Sequence, residues 1–479
     1  MVSIQDASPA PAAPINVGLG PGVRDKAHEL ILRMERIPFS PWHMRARIVM
    51  GSATFLDAFD ALSLAFALPV LIGLWHMSPV EVGWMIAASY IGQLVGALLF
   101  SRLSESYGRV PCAALATGLM SVMSLVCAFA GNFQMLFIFR LVQGIGVGGE
   151  MPVAATYISE MSRAQGRGRF FMLYEMIFPV GLMACGQIGT LLVPIFGWKV
   201  LFALGGIPGL IVTYLLLRLP ESPRWLIGRG RLAEAERNIE RAEASARAKF
   251  GADCLVETQA ASPASRAPMP SVLVPKGRWR EVLSGFYRRR TLIAWTLWAS
   301  AFFIANSLNN WMPTLYRTVY GLTLPDALRA ASMTNVAQVI VLLLCAFFID
   351  RVGRRAWTVA CFAAGGALSL TLALGAIHQF SFVVVMATLI YGLIGSINAV
   401  LYLYTPEIYP TRIRAIGTGL STSWLRIGSA VGPAIVGYLV AGYGVSSVFV
   451  MFAAVAVIGV IAGLGMVNTE NRQLEEIAP

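Results

Sequence analysis

Apolar residues arrive along this chain in runs of about 20, the length an α-helix needs to cross a hydrocarbon layer of roughly 30 Å. The runs lie at roughly 47–74, 82–103, 112–131, 134–159, 169–194 and 199–218, and again at roughly 292–315, 328–349, 357–377, 380–404, 415–440 and 445–467. Twelve crossings predict an all-α membrane protein made of two six-helix sets, with both chain ends on one side. Ahead of the first run, Ala27, Leu30, Ile31 and Met34 recur at helical spacing between Arg24 and Ile37, the stripe expected of a short helix lying on the membrane surface. Pro38 and Pro41 end it. Between the two sets the chain turns polar: Arg231 to Phe250 predicts a charged surface helix, with Glu243 four residues before Arg247, and Ser262 to Pro275 predicts a flexible linker. The organisation expected is a segment 1–46, a half 47–218, a linker 219–291, a half 292–467 and a tail 468–479.

Composition agrees with that pattern and narrows the class. Hydrophobic residues make up 57% of the chain and charged residues 13%, whereas soluble chains carry roughly 25% charged residues. An ordinary cytosolic enzyme is excluded. The formal net charge is +12, and its location is informative. Short loops on the side of the termini hold Arg102, Arg109, Arg163, Arg167, Arg169, Arg351, Arg354, Arg355, Arg412 and Arg414, while the opposite loops hold little beyond Lys199 and Arg317. By the positive-inside rule both termini are expected in the cytoplasm of a cell (inner) membrane, and the basic excess reports topology rather than a nucleic-acid partner. The stretch Ala7 to Pro14 lacks the basic and apolar regions of a signal peptide. Cys112, Cys127, Cys185, Cys254, Cys345 and Cys361 are scattered, five of them in apolar runs, and read as free buried thiols. His28, His43, His76 and His378 lie far apart without metal-ligand spacing, so neither a metal nor a cofactor is expected.

The two sets repeat each other. Tyr107-Gly108-Arg109 recurs as Val352-Gly353-Arg354, and Glu160 with Arg167 recurs as Glu407 with Arg414, each at an offset of about half the chain. Two related halves joined by a flexible linker suit alternating access, in which the halves rock about a site at their interface.

Asp350-Arg351-Val352-Gly353-Arg354-Arg355 resembles the D-R-x-G-R-[RK] loop signature of the major facilitator superfamily. In the first half the copy departs from it, with Glu105 at the acidic position and Ser106 at the basic one, while Gly108-Arg109 survive. Pro220-Glu221-Ser222-Pro223-Arg224-Trp225 and Pro406-Glu407-Ile408-Tyr409-Pro410-Thr411-Arg412 look like the sugar-porter and organic-ion branches. The run from Arg140 to Pro152, with Asp57-Ala58-Phe59-Asp60 in the first span, resembles the bacterial niacin permeases, with aromatic-acid/proton symporters as near kin. The resemblance implies a twelve-helix carrier gated by Glu105, Arg109, Glu160, Arg167, Asp350, Arg351, Arg354, Glu407 and Arg414.

Gly144, Gly146, Gly148 and Gly149 lie inside a span, where small residues let helices approach closely, and not on the strand-to-helix turn of a dinucleotide site. No P-loop pattern occurs, so the driving force expected is an ion gradient or the substrate's own. Ionisable residues inside spans are costly and by default mark pathways. Here they are Asp57, Asp60, Arg140, Glu150, Glu175 and Arg426. Asp57 and Asp60, at i and i+3, are candidate proton carriers, the alternative being that one of them caps a helix or neutralises an arginine. Arg140 and Glu150 stand ten residues apart, roughly 15 Å along a helix, and must pair elsewhere, Arg140 with a first-span carboxylate or in a static role. Glu175, close to the start of its span, suits a gate or a packing contact.

Arg426 has no acidic counterpart in the second six spans, and a guanidinium fork matches a carboxylate. The resemblance places it at a position that is basic in anion carriers. Phe302, Phe303, Asn306, Asn309, Asn310 and Trp311 put rings and amides on adjoining faces of the seventh span, suited to a flat heteroaromatic ring. Gln338, Tyr402 and Tyr90 are further candidates, with interhelical hydrogen bonds as the alternative. The function expected is proton-coupled import of a small aromatic carboxylate, nicotinate first. Sugar, aromatic-acid or organic-cation carriage and a non-transporting membrane sensor are the alternatives. The partners expected are the anion, protons and the lipid bilayer, with no nucleic acid, for a protein acting as a monomer.

Overall fold

A computed structural model describes residues 21–161, 176–251, 279–375 and 379–469. Among them, twelve helices are long and apolar enough to cross a membrane. A leading helix α1 (Pro21–Arg36) precedes the first six: α2 (Pro41–Trp75), α3 (Pro79–Tyr107), α4 (Arg109–Cys127), α5 (Phe133–Met161), α6 (Ile177–Phe196) and α7 (Lys199–Leu217). Two shorter helices follow, α8 (Pro223–Gly228) and α9 (Leu232–Phe250), then a 3₁₀ turn at Trp279–Leu283. The second six are α10 (Gly285–Thr318), α11 (Leu324–Val352), α12 (Arg354–Ala373), α13 (Phe380–Glu407), α14 (Thr411–Tyr443) and α15 (Val445–Leu464). The face from which α2 and α10 start is the terminal face; the other is the distal face.

Several helices outrun the apolar windows that announce them. With 35 and 34 residues, α2 and α10 are each roughly 50 Å long, so their first turns project beyond the hydrocarbon on the terminal face. The second helix of each half starts at a distal cap of the same kind. Ser78 Oγ accepts from the Glu81 N–H at 3.3 Å while Glu81 Oε2 accepts from the Ser78 N–H at 2.8 Å, and Thr323 Oγ1 accepts from the Asp326 N–H at 3.4 Å. The repeated loop glycines have a shared geometric cause. Gly108 (φ 113°) and Gly353 (φ 84°) each end one helix and open the next in a conformation that side chains rarely adopt.

The glycine run of α5 is a packing seam. A Cβ on Gly144 would lie 2.1 Å from the Ser89 carbonyl oxygen and one on Gly148 2.1 Å from that of Gln93, so α3 and α5 touch backbone to backbone. The halves meet where α3 packs on α14, α6 on α11 and α2 on α10. Cys112, Cys127, Cys185, Cys345 and Cys361 are buried and free; Cys254 and His378 lie outside the described residues.

The leading helix differs from expectation. Its stripe does not face lipid: Leu30, Ile31 and Met34 are buried against Trp225, Leu226 and Ile227 of α8 and Ala235 and Ile239 of α9. Charges fix the register, with Lys26 Nζ 2.8 Å from Glu236 Oε2 and Arg33 forming two 3.0 Å bonds to the Glu243 carboxylate. Glu243 is thus held chiefly by Arg33, with Arg247 at 4.0 Å. A protein surface outcompetes the lipid interface here because α9 presents both an apolar stripe and acids complementary to the α1 bases.

Candidate functional site

Where the halves part, a cavity of about 330 Å³ opens, within the roughly 300–1,000 Å³ usual for small-molecule sites. The first half contributes Asp57 from α2, Tyr90 and Gln93 from α3, Met151 from α5 and Phe178 from α6. From the second come Phe302, Asn306, Asn309 and Asn310 of α10, Gln338 of α11, Tyr391, Asn398 and Tyr402 of α13, and Arg426 of α14.

Among the described lining residues, charge is carried by two side chains. Asp57 is 2% exposed and Arg426 6%. Arg426 Nη1 donates to the Thr422 carbonyl at 3.3 Å and Nη2 to the Gly148 carbonyl at 3.5 Å, across to the other half, leaving Nε without a partner among the described residues. Asp57 Oδ1, Gln338 Oε1 and Asn398 Oδ1 also lack hydrogen-bond partners among the described residues. Buried polar atoms are normally satisfied, and these four belong to residues that line one cavity. The amide face of α10 is anchored by Asn306 Nδ2 donating to Ser429 Oγ at 2.6 Å and by Asn310 Nδ2 donating to Tyr90 Oη at 3.1 Å, the latter crossing between halves. Phe302 stacks on Trp298, and Tyr402 meets Trp298 edge-on, their centroids 5.6 Å and 4.7 Å away.

Eight of the nine expected substrate residues line this cavity: Arg426, Asn306, Asn309, Asn310, Phe302, Gln338, Tyr402 and Tyr90. Trp311 does not. Its ring is buried at 2% exposure, with Nε1 donating to the Pro433 carbonyl at 3.1 Å, because it turns to the side of α10 that packs on α14. Sequence reading passed over Gln93, Tyr391 and Asn398, whose polar ends sit in otherwise apolar runs.

The expected coupling residues divide. Asp60 receives Arg140 Nη1 at 3.1 Å and Ser124 Oγ at 2.9 Å, and the same Arg140 nitrogen donates to Gln143 Oε1 at 2.8 Å, a buried network away from the cavity lining in which both carboxylate oxygens of Asp60 are satisfied. Glu150 accepts from Thr54 Oγ1 at 3.0 Å, also off the lining. Asp57 alone of the four faces the cavity.

The halves close against each other on the distal side. A Cβ on Gly83 would lie 2.7 Å from the Pro433 carbonyl oxygen, Trp84 Nε1 donates to Tyr438 Oη at 3.1 Å, and Arg317 Nη1 donates to the Pro69 carbonyl at 2.6 Å. Toward the terminal face the cavity lining continues to Met176, Ile349 and Leu403. Among the described gate candidates, Arg109 pairs with Glu160 at 3.0 Å and Arg354 with Glu407 at 3.3 Å, each within one half, and Arg414 Nε donates to the Tyr409 carbonyl at 3.2 Å. Glu105 departs from expectation: its side chain is exposed, and its carbonyl accepts from Trp225 Nε1 and from Arg229. Arg351 is exposed. Arg167 and Glu175, and the Asp350 side chain, lie outside the described residues. In the first half it is Glu221 that caps the loop, accepting the N–H groups of Arg109 at 3.1 Å and Val110 at 3.2 Å. Burial pushes its carboxyl above the ordinary glutamate range, against those hydrogen bonds.

Residues 48–479 match the family of sugar (and other) transporters. A niacin transporter of Acinetobacter baylyi is 31% identical over 94% of this chain and 99% of its own length. A benzoate transport protein of the same organism is 26% identical over 84% of each chain. The fold is that of the xylose transporter of E. coli in a partially occluded inward-open conformation, with a TM-score of 0.70, 19% identity, and coverage of 91% of this chain and 100% of that one.

Proposed function

Because this chain belongs to the sugar (and other) transporter family, and so is a multi-pass transporter of the major facilitator superfamily and not an enzyme, we propose that it imports a small aromatic carboxylate, nicotinate first, with protons, by alternating access. The observation that carries this reading is the pairing, in one cavity between the halves, of a buried arginine with free donor capacity and a buried carboxylate with a free acceptor. The ligand's acid group docks on Arg426, its ring lies against Phe302, and the amides around it meet a ring heteroatom. Protonation of Asp57 removes the one negative charge among the described lining residues, which links substrate entry to proton entry. The niacin and benzoate relatives support an aromatic acid over a sugar or a cation, and the buried arginine argues against a cation on charge alone. On the orientation expected from the positive-inside rule, with the terminal face cytoplasmic, the described state, closed distally, is the one that releases substrate inward.

The test is a calorimetric titration of purified protein. Removing one partner of a buried charge pair costs roughly 3–5 kcal/mol, or about two to three and a half orders of magnitude in affinity. Arg426→Ala should therefore erase nicotinate binding, and Arg426→Lys should restore little of it, since a point charge cannot reproduce the fork. Nicotinamide, with the same ring and no negative charge, should bind weakly to the wild type. Equal affinity for nicotinamide and nicotinate, or a folded Arg426→Ala protein that keeps its affinity, would return Arg426 to a structural role.

A further inference from the structure

At the terminal end of the second half, away from the central cavity, α10 and α15 diverge to leave a groove of about 620 Å³. Its walls are apolar and face outward: Leu292, Ile458 and Ile461 are 46%, 50% and 66% exposed, which on a membrane helix means contact with acyl chains. Its mouth is cationic. Arg288 and Arg289 line it, both exposed, and neither has an ion-pair or hydrogen-bond partner among the described residues.

We propose that this groove binds an anionic glycerophospholipid of the terminal-face leaflet, with its phosphate on Arg288 and Arg289 and one acyl chain along the apolar walls. The spacing fits an amphiphile. Arg288 precedes Leu292 by four residues, roughly 6 Å along the helix axis, so the guanidinium groups stand just outside the hydrocarbon where Leu292 marks its edge. At the terminal end a Cβ on Gly285 would meet nothing within 4 Å, so the groove is open there. Two cations without an acidic neighbour among their described contacts favour a net-negative headgroup over a zwitterionic one. The continuous apolar wall favours a lipid over a free phosphate ester.

The full-length protein in nanodiscs of mixed phosphatidylglycerol and phosphatidylcholine, released into native mass spectrometry, reports which lipid stays bound. The wild type should retain phosphatidylglycerol over phosphatidylcholine by roughly 30-fold, the factor that two arginines at a membrane surface supply. Arg288→Gln with Arg289→Gln should abolish that preference. Arg237→Gln with Arg241→Gln, which removes the same charge from α9, should leave it intact. Thr296→Trp, filling the groove from its lipid side, should displace the retained lipid with the arginines still present. Equal loss of preference in both double variants would reduce the effect to diffuse surface charge. Retention unchanged by Thr296→Trp, or competition by soluble glycerol phosphate as strong as that by phosphatidylglycerol, would remove the acyl-chain groove from the account.

Discussion

Asp57 and Asp60 differ in position by about 60° around α2, and that rotation separates a cavity-facing carboxylate from one locked in a charge network. Asp60 is satisfied by Arg140 and Ser124; Asp57 Oδ1 is not satisfied by any described residue. Neutralising each should therefore do different things. Asp57→Asn should lose accumulation against a gradient and keep exchange of bound substrate. Asp60→Asn should leave Arg140, itself 1% exposed, without its charge partner at a cost of roughly 3–5 kcal/mol, seen as a lower melting temperature. Accumulation by Asp57→Asn with unchanged pH dependence contradicts the coupling assignment. The same angular argument explains Trp311. Phe302, Asn306 and Asn309 recur at i+4 and i+3 and Asn310 follows Asn306 by four, so the four span about 100° of α10, while Trp311 stands about 100° beyond Asn310, on the side opposite Phe302. Spacing in the sequence defines that face but does not say which neighbour each edge of it meets.

Elements were legible in proportion to how far their signal depends on the chain alone. Apolar runs of membrane-spanning length need no partner to be recognised, and the repeated glycine loops carry a positive φ that local sequence announces. The stripe of α1 foretold burial without naming the surface, because lipid and a second helix make the same demand on Leu30, Ile31 and Met34. Contacts between elements far apart in the chain, such as Glu221 beneath Arg109, had no local signal beyond the run Pro220 to Trp225. The docking of α1 on α9 rests in part on the two bonds from Arg33 to Glu243. Arg33→Ala should weaken it by about 1 kcal/mol after solvent screening, and hydrogen exchange should quicken across residues 232–250 while α3 and α5 keep their protection. Unchanged exchange there would mean that the apolar stripe suffices.

For the molecule as a whole, the arrangement joins a closed distal side, a cavity reaching toward the terminal face and gate pairs confined to single halves. On the proposed mechanism these belong to one end of a cycle whose other end opens distally, with Arg426 and Asp57 common to both. The central claim is concentrative transport of an aromatic carboxylate driven by protons, and its most direct measurement is uptake of labelled nicotinate into proteoliposomes under an imposed pH gradient, alkaline inside. Wild-type protein should accumulate nicotinate above equilibrium, with collapse on adding a protonophore, competition by benzoate and none by nicotinamide or xylose, while Asp57→Asn only equilibrates it. Accumulation that survives the protonophore, or uptake that xylose blocks and benzoate does not, would contradict the account.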